Sequence, residues 1–198
     1  ALPFQPQSPY SASKIAADHI ALSYHHAFET PVAVVRPFNT FGPRQSNRAV
    51  IPTVITQLAN GLAAGATEIK LGALEPRRDF TYATDTAEGI IAVAESDNTV
   101  GEHINLGTGY DVSIAETVDL IKDIMGSSAT VTCDQQRLRP EGSEVDRLLA
   151  CNKKARELTG WTPELTGPAG FREAMTRTID WFTDPANLAR YKADQYAT

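Results

Sequence analysis

Apolar positions along this chain alternate between a helical rhythm and short continuous runs. Ser8 before Pro9 sets an N-cap residue ahead of a proline at the first helical position, where the missing N–H is harmless, and predicts a helix to about Phe28. Thr30-Pro31 ends it, and residues 32–38 form a nearly all-apolar run of the kind buried on both faces in a parallel sheet. After a predicted loop over 39–49, Ile51, Val54, Ile55, Leu58 and Leu62 recur at helical spacing and predict a helix over 50–63. Residues 68–71 and 79–82 read as two strands around a loop holding Arg77 and Arg78. Thr84 is the expected cap of a helix whose apolar face is Ala87, Ile90, Ile91 and Ala94; a strand over 103–106 follows, closed by Gly107-Thr108-Gly109. Ser113 and Glu116 make a capping box, Gly126 stops that helix, and 129–133 is one more strand. A polar loop over 134–148 and helices near 152–159 and 168–182 lead to a tail ending at Thr198.

This alternation predicts an α/β fold with a sheet that is at least partly parallel. A dinucleotide-binding sheet needs a glycine-rich turn that lets the backbone approach a pyrophosphate, and no G-x-G-x-x-G or G-x-x-G-x-x-G occurs. The chain opens at Ala1, directly before a helix rather than with a strand, so the expectation is a fold whose beginning is missing.

Composition narrows the chemistry. No apolar run approaches the roughly 20 residues that span a bilayer, and no signal peptide is visible, which makes the cytoplasm the expected location. The formal charge of −6 argues against a nucleic-acid surface. Cys133, Cys151 and the four histidines show no metal-ligand spacing, so no metal is expected. Arginine nevertheless outnumbers lysine 12 to 6, and Arg44, Arg48, Arg77, Arg78, Arg137 and Arg139 gather in expected loops. They read either as forks for phosphate oxygens or as solvated loop charges.

Tyr10 and Lys14 stand four apart, on one face of the first helix. A free phenol titrates near 10. Base chemistry near neutrality therefore calls for roughly 4 kcal/mol of preferential phenolate stabilisation, which a neighbouring ammonium can help supply. Such a pair alone also occurs by chance on many helices.

The surrounding motifs make the pair specific. Ser8-Pro9-Tyr10-Ser11-Ala12-Ser13-Lys14 precedes Arg36-Pro37-Phe38-Asn39-Thr40-Phe41-Gly42-Pro43, Arg78-Asp79-Phe80, Asn105 to Gly109, Arg139-Pro140, Lys154-Ala155 and Gly160-Trp161-Thr162-Pro163. In this order, over residues 8–182, the chain resembles the extended short-chain dehydrogenase/reductase family of NAD-dependent epimerases and dehydratases. Gln45 to Pro52 and Gln136 to Val145 look most like UDP-N-acetylglucosamine 4,6-dehydratases of the legionaminic acid type. UDP-glucose 4-epimerases share most of the frame.

The resemblance implies the C-terminal part of a doubly wound, Rossmann-like parallel sheet plus a small α/β substrate-binding region, without the glycine-rich N-terminal half. Residues 1–43 would be the remnant of the NAD(P)-binding domain, 44–182 mainly the substrate-binding region and 183–198 a tail. It implies NAD or NADP as cofactor and a nucleotide-diphosphate sugar as substrate. Tyr10 would take the proton from the sugar 4-hydroxyl, while Lys14 holds the nicotinamide ribose and stabilises the phenolate. Pro37, Asn39 and Thr40 would line the cofactor side, and Asn39, Arg78 and Arg139 would hold the diphosphate. Oxidation at C4 would lead to loss of water across C5 and C6 in a dehydratase, or to return of hydride at C4 in an epimerase. A homodimer through the Tyr-Lys helix is also implied, although Ile15, Ile20 and Leu22 serve equally as intramolecular core. A third reading is an inactive sugar-nucleotide-binding or dimerisation module.

Overall fold

Helix α1 (Pro9–Phe28) starts where the Ser8 hydroxyl accepts the Ser11 N–H at 3.1 Å, and ends at Glu29, whose left-handed backbone returns its N–H to the His25 carbonyl. The computed structural model describes residues 5–64, 67–138 and 145–191. Strand β1 (Val34–Pro37) follows and pairs in parallel with β5 (His103–Leu106). It is shorter than the apolar run suggested, and only Val34 is buried, because β5 is its sole strand partner among the described residues. An ion pair between Arg36 and Asp18 (2.6 Å) ties β1 to α1.

The segment expected as a loop after Phe38 contains a strand, β2 (Asn39–Phe41), which pairs in parallel with β4 (Arg77–Tyr82). Its aromatic anchor makes the difference, since Phe41 is 1% exposed and meets Phe80, Tyr82 and Phe171 edge-on. Strand β4 also pairs antiparallel with β6 (Asp111–Ser113) and parallel with β8 (Arg147–Leu148). Both lie in stretches where no strand was expected. Arg77 and Arg78 belong to β4 rather than to a loop, because both charges find partners. Arg77 reaches Asp111 and Glu116, and Arg78 donates to the carbonyls of Arg77 and Val145. Helix α2 (Val50–Ala64), β3 (Glu68–Leu71) in parallel with β7 (Thr130–Cys133), and α4 (Ile114–Met125) behind its capping box follow the sequence pattern closely.

Helix α3 (Ala83–Glu95) corrects two expectations. It begins directly after Tyr82 without a side-chain cap, so Thr84 lies inside its first turn. Its buried face is Asp85, Thr86, Gly89 and Val93, while Ala87, Ile90, Ile91 and Ala94 face outward. Each buried residue has a structural reason. Asp85 accepts the N–H groups of Glu164 and Leu165, and a Cβ on Gly89 would come within 2.8 Å of Leu106 Cδ1.

Two apolar clusters result. The larger gathers α2, α4, α6 (Gly167–Thr183) and the β2/β4 side chains around Phe41, Ile55, Ile121 and Phe182. The smaller holds Val93, Ile104, Leu106, Ala155 and Trp161 between α3, β5 and α5 (Lys153–Thr159). A short helix, α7 (Pro185–Leu188), closes the described chain within the expected tail. Where β5 ends, a Cβ on Gly107 would lie 2.3 Å from that of Ala150. We expect Gly107→Ala to destabilise the fold by about 1–3 kcal/mol through overpacking. Chemical denaturation checks this, with Ala150→Gly restoring most of the loss in the double variant.

Candidate functional site

Open parallel sheets present ligands at the C-terminal ends of their strands, and two elements converge there. From Arg36 the chain runs three residues to Asn39, about 10 Å at the rise of a strand. From Asp18, which grips Arg36, helix α1 runs eight residues back to Tyr10, about 12 Å at the rise of a helix. Because the helix and strand are antiparallel neighbours, Tyr10 and Asn39 stand at the same end of the β1–β5 pair. Tyr10 is 71% exposed, and the Lys14 ammonium sits 5.4 Å from the centre of its ring. The sequence-predicted pair is therefore together and accessible. Pro37 ends β1, exposed, on the way to Asn39.

Beside this end lies a cavity of about 350 Å³. Asn39 and Thr40 contribute from β2, Gln45 and Arg48 from the loop before α2, Arg78 from β4, and Arg137 from the turn after β7. Leu71, Pro76, Phe80, Ile51 and Ile114 supply apolar walls. The lining suits an anionic ligand: forked cations for phosphate oxygens, apolar surface for a ring, and amide and hydroxyl groups for further hydrogen bonds. Asn39, Thr40 and Arg78 are thus brought into one cavity, whereas Tyr10, Lys14 and Pro37 are not among its lining residues. Arg139 lies outside the described residues.

Two further residues gain roles that the sequence did not reveal. Asp79, on the opposite face of β4 from Arg78, is fully buried and accepts from the Thr108 N–H (2.9 Å) and hydroxyl (2.7 Å), the Gly109 N–H (2.9 Å) and the Ala150 N–H (3.1 Å). It clamps the end of β5 and the segment before α5 onto the strand that carries Arg78. Gln45 joins the cavity from a run that gave it no side-chain role, and Arg48, one of the loop arginines with two open readings, lines the cavity beside it. Among the described residues, no group of three or more His, Cys, Asp or Glu is placed to hold a metal, and no helix is long and apolar enough to cross a membrane.

Behind the cavity, Asp111 bridges Arg77 (3.4 Å) and Arg147 (2.5 Å). The Arg147 hydrogen bond, aided by both arginine charges, holds the Asp111 carboxyl below the usual range, and the Ser113 backbone N–H does the same for Glu116. Since both carboxyls titrate lower folded than unfolded, the unfolded chain binds more protons once pH falls through about 4. Their contribution is complete above that value and is lost as pH drops through the folded values. Stability measured against pH should fall more steeply below about pH 4 in the parent chain than in Arg147→Ala.

The family model described as GDP-mannose 4,6-dehydratase matches residues 1–174. The chain belongs to this family. That family lies within the NAD-dependent epimerase/dehydratase group of short-chain dehydrogenases/reductases. Among curated members, dTDP-glucose 4,6-dehydratase from Streptomyces antibioticus is 32% identical over 182 residues, covering 92% of this chain and 51% of that protein. The solved structure of Bacillus anthracis dTDP-glucose 4,6-dehydratase in complex with NAD superposes with a TM-score of 0.78 at 28% identity, covering 92% of this chain and 54% of that one. Bacillus cereus UDP-glucuronic acid 4-epimerase, in complex with UDP-glucuronic acid and NAD, gives a TM-score of 0.77 at 28% identity, covering 91% and 54%. The chain spans about half the length of the curated relatives it matches. The Rossmann-like α/β fold expected from the sequence, as the C-terminal part of such a domain, is the fold these dehydratase structures share.

Proposed function

We propose that this chain is the substrate-binding part of a cytoplasmic nucleotide-sugar 4,6-dehydratase acting on UDP-N-acetylglucosamine with NAD or NADP. The observation that carries the reading is the cavity in which Asn39, Arg48, Arg78 and Arg137 meet, at the sheet end that also bears Tyr10 and Lys14. Arg78, held by the Val145 carbonyl at 2.7 Å, and Arg139 grip the diphosphate, and Asn39 contacts it from β2. Tyr10 removes the proton of the sugar 4-hydroxyl, and the adjacent Lys14 stabilises the phenolate and binds the nicotinamide ribose.

The residues present fit the nicotinamide end of the cofactor. Lys14 and Tyr10 are accessible on one helix face, and Pro37, Asn39 and Thr40 continue the strand end beside them. A pyrophosphate-binding glycine turn is not in the sequence. When bound, NAD(P) supplies the hydride acceptor and donor.

Residues 1–43 form the cofactor-side remnant, 44–182 the substrate region and 183–198 the tail. The smaller apolar cluster, in which Ala33 and Val35 of the first part pack against Val93, Ile104, Leu106, Ala155 and Trp161, is what Rossmann elements returning within 44–182 would produce. We further propose a homodimer through α1, whose Ile20, Tyr24 and Phe28 are all more than half exposed.

The similarity to a UDP-glucuronic acid 4-epimerase favours 4-epimerisation as the second reading. Turnover in heavy water, by a protein joining this chain to a dinucleotide-binding half, separates the two. Dehydration leaves deuterium at C5 of the product, whereas epimerisation returns C5 unexchanged and overturns the dehydratase reading. If the joined protein binds the sugar nucleotide without turning it over, the chain is the third alternative, an inactive sugar-nucleotide-binding module.

A further inference from the structure

Gln45 lines the cavity with an amide whose orientation is fixed. Its Nε2 donates to the Thr40 carbonyl at 2.8 Å, which only the NH2 end can do. Its Oε1 is consequently presented as an acceptor, and that atom is buried without a hydrogen-bond partner. Buried acceptors are nearly always satisfied, so an orphan in a cavity wall points to a donor arriving with the ligand.

The same residue is held from outside the cavity. Its N–H bonds the Gly42 carbonyl (3.3 Å), and its own carbonyl accepts the Tyr191 hydroxyl at 3.2 Å, across 146 positions of sequence. Tyr191 is itself braced, with ring centroids 5.0 Å from Phe182 and 6.1 Å from Trp181. Burial pushes its phenol above the ordinary value, which keeps it a protonated donor at neutral pH. The C-terminal segment thus reaches the cavity wall through one hydroxyl.

We propose that Tyr191 is a positioning residue that holds Gln45 so that its free oxygen accepts a hydrogen bond from an N–H or O–H of the sugar of a bound nucleotide sugar. This rests on the reading of the cavity as a nucleotide-sugar site. The arginines hold the diphosphate independently, so Tyr191 governs the affinity added by the sugar and leaves that of the nucleotide unchanged.

Calorimetric titration of the 198-residue chain with UDP and with UDP-N-acetylglucosamine tests this. Tyr191→Phe keeps the ring packing and removes the hydroxyl. It should leave the UDP affinity within about twofold, while the gain in affinity on adding the sugar falls about three- to tenfold. Gln45→Leu, or Gln45→Met if the leucine variant melts early, should lose that gain. Adding Tyr191→Phe to it should change nothing further, which general loosening of the fold would not produce. A sugar gain that survives in Tyr191→Phe, or a double variant that loses the sum of the two single effects, overturns the inference alone. A folded parent chain that binds neither ligand overturns the nucleotide-sugar reading and the inference with it.

Discussion

Replacing Asp79 with alanine is expected to destabilise the chain by on the order of 4 kcal/mol. The carboxylate is fully buried and accepts the N–H groups of Thr108, Gly109 and Ala150 together with the Thr108 hydroxyl. Truncation leaves these donors facing a small void without their acceptor. A buried donor stranded in this way costs about 1–3 kcal/mol, and the three backbone groups cannot rotate away. Asn is the informative second substitution. Its amide oxygen can still serve one side of the cluster, but its NH2 confronts an N–H on the other, so Asp79→Asn should fall between the parent and alanine. Urea denaturation measures both. An alanine variant within 1 kcal/mol of the parent would remove Asp79 from its role as the clamp between β4 and β5.

The second large effect is expected in turnover rather than stability. Tyr10→Phe, in a protein joining this chain to a dinucleotide-binding half, should lower kcat by about 10²–10⁴ with little change in KM, as removal of a general base does. Within this chain the Tyr10 ring is exposed and belongs to neither apolar cluster, so the lost hydroxyl is not one that the described core uses. The thermal midpoint should therefore stay put while activity disappears. Residual activity near that of the parent would assign the proton transfer to another group.

The helices were legible wherever their ends carried chemistry. Ser8-Pro9, the Ser113/Glu116 box and Gly126 each mark a boundary that the backbone obeys. The short strands were not legible. β2, β6 and β8 are two or three residues long and exist because β4 offers them hydrogen bonds from distant parts of the sequence. Local pattern carries no record of such partners. The apolar face of α3 misled for a related reason. Gly89 and Asp85 are buried because of what they touch, a close-packed Leu106 and two backbone N–H groups, and neither registers as hydrophobic.

The candidate site divides along the same line. Tyr10 and Lys14 drew attention by their spacing together with the motif around them, and Asn39, Thr40 and Arg78 by motifs alone, while the meeting of Asn39, Thr40 and Arg78 in one cavity needed the fold. Asp79 stood in the run Arg78-Asp79-Phe80 without any sign that its side chain points away from the cavity to fasten another strand. Gln45 stood in a run of polar loop residues. Its importance depends on one carbonyl, that of Thr40, and one hydroxyl, that of Tyr191, neither of which spacing could supply.

Most depends on the cavity beside Asn39 being the seat of a nucleotide sugar. A crystal structure of this chain grown with saturating UDP-N-acetylglucosamine tests that directly. The predicted result is a ligand whose diphosphate lies against Arg78 and Asn39, with its sugar directed toward the Tyr10 end of the sheet. A cavity that remains empty, or a ligand bound elsewhere on the chain, would contradict it.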